Sequence, residues 1–167
     1  MVKLKKIRGW LDNILFVAAS ILIFVLVLGA IWQVFTRFVL QDPSIITQEI
    51  LRFSLIWLAM IGSAYVFGQD AHLSFGFFKD KMKGQAHVWL FRAIDLAVIV
   101  FALFVLVIGG YTIASATMAE LSPILGIPMG YIYSILPISG ILILFYEINN
   151  LLNRKPISDE RSEYKWM

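Results

Sequence analysis

Cysteine is absent from the 167 residues. That excludes a disulfide framework, a thiol nucleophile and a thiolate metal site. Histidine is nearly absent: His72 and His87 are the two. Both fall at the margins of long apolar runs, whereas a membrane cytochrome needs paired histidines at matching depths within its spans. The chain holds no H-E-x-x-H, no phosphate-binding glycine loop and no nucleophile elbow. Ser44, Thr47, Ser54 and Ser63 have no evident partner base, so no enzyme is expected. Charge is scarce as well, at 15% of residues against about 25% in soluble domains.

What fills the space is apolar: 60% of the chain is hydrophobic, against about 45–50% in soluble proteins. A soluble protein of this size has too little interior to hide that much apolar surface. The bilayer must be its solvent. Four stretches, about 11–40, 43–68, 86–118 and 127–152, reach the roughly 20 residues that a membrane helix needs. The expected fold is therefore an all-α membrane protein of four transmembrane helices, forming one domain over 1–152. A polar tail follows over 153–167. The first stretch is too long for a secretory leader and lacks a convincing cleavage site, so it reads as a retained span.

The net charge of +3 points to no nucleic-acid partner, because its placement follows the positive-inside rule. Lys3, Lys5, Lys6 and Arg8 precede the first span. Lys79, Lys81 and Lys83 lie between spans two and three, and Arg154, Lys155, Arg161 and Lys165 follow span four. The other two connections carry no Lys or Arg. Both termini are thus expected in the cytoplasm, with Trp10 and Trp89 at the cytoplasmic edge. Between spans two and three, about 73–85, Phe75, Phe78 and Met82 alternate with Lys79, Lys81 and Lys83. That spacing suits a short amphipathic helix in the interface; the alternative is a polar loop with a few buried phenylalanines.

Asp42-Pro43 reads as an N-cap with proline at the first helical position, which makes spans one and two a tight hairpin. Pro128 suits the start of span four, and Pro137 should kink it. Ionisable residues inside the spans gather toward the two rims. Toward the outer side, Arg37 and Glu49 fall at similar depth if the hairpin turns at Asp42, with Arg52 three residues beyond Glu49. The spacing predicts an Arg37–Glu49 contact with Arg52 nearby; otherwise all three reach separately to headgroups. Toward the cytoplasm, Arg92, Asp95 and Glu147 suit a structural clamp, through an Arg92–Glu147 or Arg92–Asp95 contact. Asp95 is the deepest carboxylate. Ala59/Ser63 and Gly110/Ala114 allow close helix approach. No internal repeat is evident, which disfavours an inverted-repeat carrier.

These residues resemble a known family. Arg37, then Gln48-Glu49 with Arg52 and Ile56-Trp57, are similar to the "R … EE-xxR-xxxxW" region of the DctQ-like small permease of TRAP transporters. Gly62 followed by Gln69-Asp70-Ala71-His72-Leu73 resembles that family's junction after span two. Leu125-Gly126-Ile127-Pro128-Met129, with Pro137 and Gly140, resembles its fourth-span segment. The resemblance covers roughly 33–150. Gln48 stands where a second carboxylate is frequent, and the usual aromatic before it is missing.

The resemblance implies a tripartite secondary transporter in a bacterial or archaeal inner membrane. An extracytoplasmic substrate-binding protein captures an organic anion, such as a dicarboxylate or a sialic acid. A large membrane subunit carries the substrate and the sodium ions, so this chain itself needs no cofactor or metal. The small subunit braces the large one in the lipid. Residues 41–47 and 119–126 are expected to face the binding protein. Two other readings remain: a self-sufficient oligomeric carrier using Asp95, and a membrane anchor of a redox complex.

Overall fold

The computed structural model describes residues 2–69 and 85–153. The proposed interfacial helix, with Phe75, Phe78, Lys79, Lys81, Met82 and Lys83, lies outside the described residues, as does the tail from 154 onward. Four helical stretches are long and apolar enough to cross a membrane: Arg8–Phe38, Ile45–Gly68, Arg92–Ala119 and Met129–Leu151. Among the described residues the chain is all-α apart from one isolated bridge between Leu121 and Pro128.

Helix α1 runs Val2–Phe38 and α2 runs Ile45–Gly68. The link between them differs from expectation. Asp42 is not the cap: the Ser44 hydroxyl accepts the Thr47 amide at 3.4 Å, and α2 begins at Ile45. Pro43 disfavours helical geometry in the residue before it, so Asp42 stays in the turn and donates its amide to the Thr36 carbonyl at 3.2 Å. Gln41 takes the left-handed conformation that closes the turn, with φ 54°. The hairpin therefore turns nearer residue 40 than residue 42. Its register is visible in three close approaches: Gly29 against Leu51, Thr36 against Ser44, and Asp12 against Gly68.

The third span is continuous but changes winding. Helix α3 (Gln85–Phe101) passes into a π-helical stretch (Ala102–Gly109), then α4 (Gly110–Ala116) and a 3₁₀ turn (Thr117–Ala119). The fourth span is α5 (Met129–Tyr133) followed by α6 (Ile135–Asn153), with Ser134 between. Pro128 caps α5, one residue before the helix begins. The interruption expected at Pro137 falls one turn earlier. A proline ring crowds the carbonyl four residues before it, here Tyr133, the last residue of α5.

Helix α1 packs along α2, α2 against α6, and α6 against α3 and the π-helical stretch. The third span thus flanks the fourth. Lipid offers these apolar surfaces no hydrophobic incentive to leave it, so close packing and internal hydrogen bonds must hold the spans together. Glycines provide the closest approaches. A methyl group at Gly29 would sit 2.6 Å from Leu51; at Gly110, 2.8 Å from Leu136 and 3.0 Å from Pro137; at Gly140, 2.8 Å from Leu106. Gly110 and Ala114, the small pair visible in the sequence, are both buried at this contact, and the Ala114 carbonyl crowds Gly130. The buried core joins Leu15, Ile61, Ala64, Ala102, Ile135, Ile143 and Tyr146.

Candidate functional site

Polar side chains gather at the two ends of the bundle. At the end that holds the start of α1 and the close of α6, Arg8 spans three helices. One guanidinium nitrogen donates to the Asn150 side-chain oxygen at 3.2 Å, and the other donates to the Gly68 carbonyl at the close of α2. The guanidinium also stands 5.9 Å from the ring centre of Tyr146, within cation–π range. The Tyr146 hydroxyl donates to Asp12 at 2.6 Å, and its ring is fully buried. Asn150 donates to the Phe67 carbonyl at 3.5 Å. Gly68 permits the approach: a methyl group there would lie 2.9 Å from the Tyr146 ring and 3.2 Å from Asp12.

This network ties α1, α2 and α6 together. The carbonyls of Phe67 and Gly68 lie in the last turn of α2, where backbone acceptors commonly draw on donors from outside the helix; here Asn150 and Arg8 donate to them. Sequence reasoning missed this network, although the spacing holds a weak signal for it. Arg8 and Asp12 are four residues apart at the head of one apolar run, and Tyr146 and Asn150 are four apart at the tail of another. Each pair lies on one helix face. The residues expected to form the clamp divide by burial. Asp95 and Glu147 are buried, but Arg92 is exposed.

At the opposite end, Glu49 is buried and its carboxylate accepts the Leu125 amide at 2.8 Å. The connection it holds, between the third and fourth spans, is itself tightly knit. Ser122 donates its amide to the Ile127 carbonyl at 2.9 Å, and Met129 donates to the Glu120 carbonyl at 2.8 Å. The buried Ser122 hydroxyl accepts the Ile127 amide at 3.3 Å. Gly126 has φ +64°, a conformation that glycine adopts without strain.

The expected Arg37–Glu49 pair is therefore replaced by a carboxylate–backbone bond. Arg37 and Arg52 are exposed, and among the described residues no ion pair joins either to Glu49. The reason is register. With Gly29 against Leu51 and Thr36 against Ser44, Glu49 lies about six residues deeper than Arg37, or about 9 Å at the helical rise. Placing the turn at Asp42 conceals that offset.

The architecture has relatives. The family model for the DctQ component of tripartite ATP-independent periplasmic transporters matches residues 26–155. The chain is 27% identical over 152 residues to the sialic acid TRAP transporter small permease protein SiaQ of Vibrio cholerae, covering 91% of this chain and 87% of that one. It is 28% identical over 110 residues to a putative TRAP transporter small permease protein of Haemophilus influenzae, covering 65% of this chain and 66% of that one. With four apolar helices and polar contacts drawn to the two ends, the chain belongs to the DctQ family: it is the small permease component of a TRAP transporter, a multi-pass inner-membrane protein and not an enzyme.

Proposed function

We propose that this chain is the static membrane brace of a sodium-coupled importer of an organic anion. A large membrane subunit would hold the substrate and sodium sites, and an extracytoplasmic binding protein would deliver the substrate. The similarity to a protein named for sialic acid transport favours a sialic acid or another carboxylate-bearing metabolite. The observation that carries the reading is how the charged groups are used. Arg8, Asp12 and Glu49 are all engaged in holding helix ends or a connection in place. Such residues suit a rigid element better than a moving one.

Lysine and arginine placement supports an orientation in which the Arg8 end faces the cytoplasm. The turn around Gln41 and the connection pinned by Glu49 would then face outward, where a binding protein can reach them. Alanine substitutions in those segments should impair uptake and leave complex assembly intact.

The test is reconstitution into liposomes. Uptake of radiolabelled sialic acid should require this chain, the large subunit, the binding protein and an inward sodium gradient together. Uptake by this chain alone, abolished by Asp95→Asn, would overturn the brace in favour of a self-sufficient carrier.

A further inference from the structure

Two separate runs of residues dock the third span on the fourth. In its first half, Asp95 and Ala102 are buried and Val98 packs against the core. In its second half, Gly110 and Ala114 are buried and Thr117 is half-buried. Within each run the steps are three or four residues, the spacing of one side of an α-helix.

The two runs do not match each other in α-helical winding. Ala102 and Gly110 are eight residues apart, and eight α-helical residues overshoot two turns by about 80°. A continuous α-helix would bring one run to the fourth span and carry the other round toward lipid. Both runs meet the fourth span instead. A methyl group at Gly110 would lie 2.8 Å from Leu136, and one at Gly140 would lie 2.8 Å from Leu106, midway between the runs.

The π-helical stretch, Ala102–Gly109, lies between them. The Gly110 amide donates to the Val105 carbonyl, five residues back. A turn closed by such a bond takes in more residues than an α turn, so the chain rotates less per residue. Seven α-helical residues come within about 20° of two full turns, so an α-helix would join the two runs with one residue fewer. Leu103, Phe104, Val105 and Ile108 of this stretch are exposed, so the surplus can sit on the side away from the fourth span.

We propose that the third span carries one residue more than its docking requires, and that the π-helical stretch is a register device that absorbs it. The device keeps Ala102, Leu106 and Gly110 on one line against the fourth span. It also fixes the direction in which the second half leaves toward the connection that Glu49 holds at Leu125.

The test uses the full chain in detergent and needs no other subunit, so its outcome is independent of the brace reading. Phe104 and Ile108 are deleted singly and together. Each single deletion removes one exposed side chain and leaves seven residues from the first run to the second. The span should then close as plain α-helix, with a melting midpoint within about 3 °C of wild type. The double deletion leaves six, about 120° short of two turns. Its midpoint should fall by about 5 °C or more, the shift expected of a lost helix contact in a domain of this length.

The absence of cysteine supplies a second readout. Ala114→Cys should react with a membrane-permeant maleimide at least about tenfold more slowly than Ser115→Cys, because access controls the rate. Ala114 is buried and Ser115 exposed. That difference should survive each single deletion and disappear in the double one. One tolerated single deletion with the labelling difference intact supports the device. A loss of stability in both single deletions equal to that of the double would overturn it. So would a double deletion as stable as wild type, or equal labelling of the two cysteines after both single deletions.

Discussion

Glu49 and Leu125 are joined by a 2.8 Å bond from a backbone amide to a buried carboxylate, 76 residues apart in sequence. The bond fixes the connection between the third and fourth spans onto the head of α2. A backbone donor at Leu125 would otherwise need another acceptor, and leaving one unmade costs about 1–3 kcal/mol when the group is buried.

Glu49→Ala should therefore destabilise the chain in detergent by about 1–3 kcal/mol. Glu49→Gln keeps an acceptor oxygen and should cost less. Thermal unfolding measures the difference, and hydrogen exchange at the Leu125 amide locates it: exchange should speed up in Glu49→Ala and change little in Glu49→Gln.

Exchanging the charges of Arg37 and Glu49 should restore nothing. The double variant Arg37→Glu, Glu49→Arg is expected to be as unstable as Glu49→Arg alone, because the two positions are about 9 Å apart in depth. Recovery to wild-type stability would show that the pair exists after all.

Tyr146→Phe removes the 2.6 Å bond to Asp12 and leaves the ring in place. Hydrogen bonds to charged groups are worth about 1.5–3 kcal/mol, and a loss of that order is expected in unfolding measurements. Adding Asp12→Ala to Tyr146→Phe should cost little more, since both changes break the same bond; a double-mutant cycle tests that.

Arg8→Lys should be nearly as damaging as Arg8→Ala. Two separate nitrogens of the guanidinium serve Asn150 and Gly68, and a lysine offers a single point charge in place of a planar fork. Faster exchange of the amides in the last turn of α2 would report the loosened end.

Glycine substitutions should separate by location. Gly110→Ala and Gly140→Ala meet side chains at 2.8 Å and should each destabilise by about 1–3 kcal/mol, as overpacking does. In the isolated chain, Gly62→Ala meets nothing within 4 Å and should be neutral or stabilising by up to about 1 kcal/mol, from helix propensity. Unfolding in detergent distinguishes the two outcomes.

The sequence by itself determined the membrane class, the four spans and their approximate limits. Those follow from apolar length and from the scarcity of charge, both of which are one-dimensional properties. Of the two small-residue pairs that allow close approach, Gly110/Ala114 is buried at a helix contact whereas Ala59/Ser63 is exposed, so small side chains permit two backbones to meet without saying where they do. Tertiary structure alone decided the polar partners. The choice of Ser44 over Asp42 as the cap moves the hairpin register, and that shift takes Glu49 out of reach of Arg37. A bond between residues 49 and 125, or between 8 and 150, depends on how whole helices dock. Helix docking in lipid is set by packing and register, and no residue spacing within a single span records either.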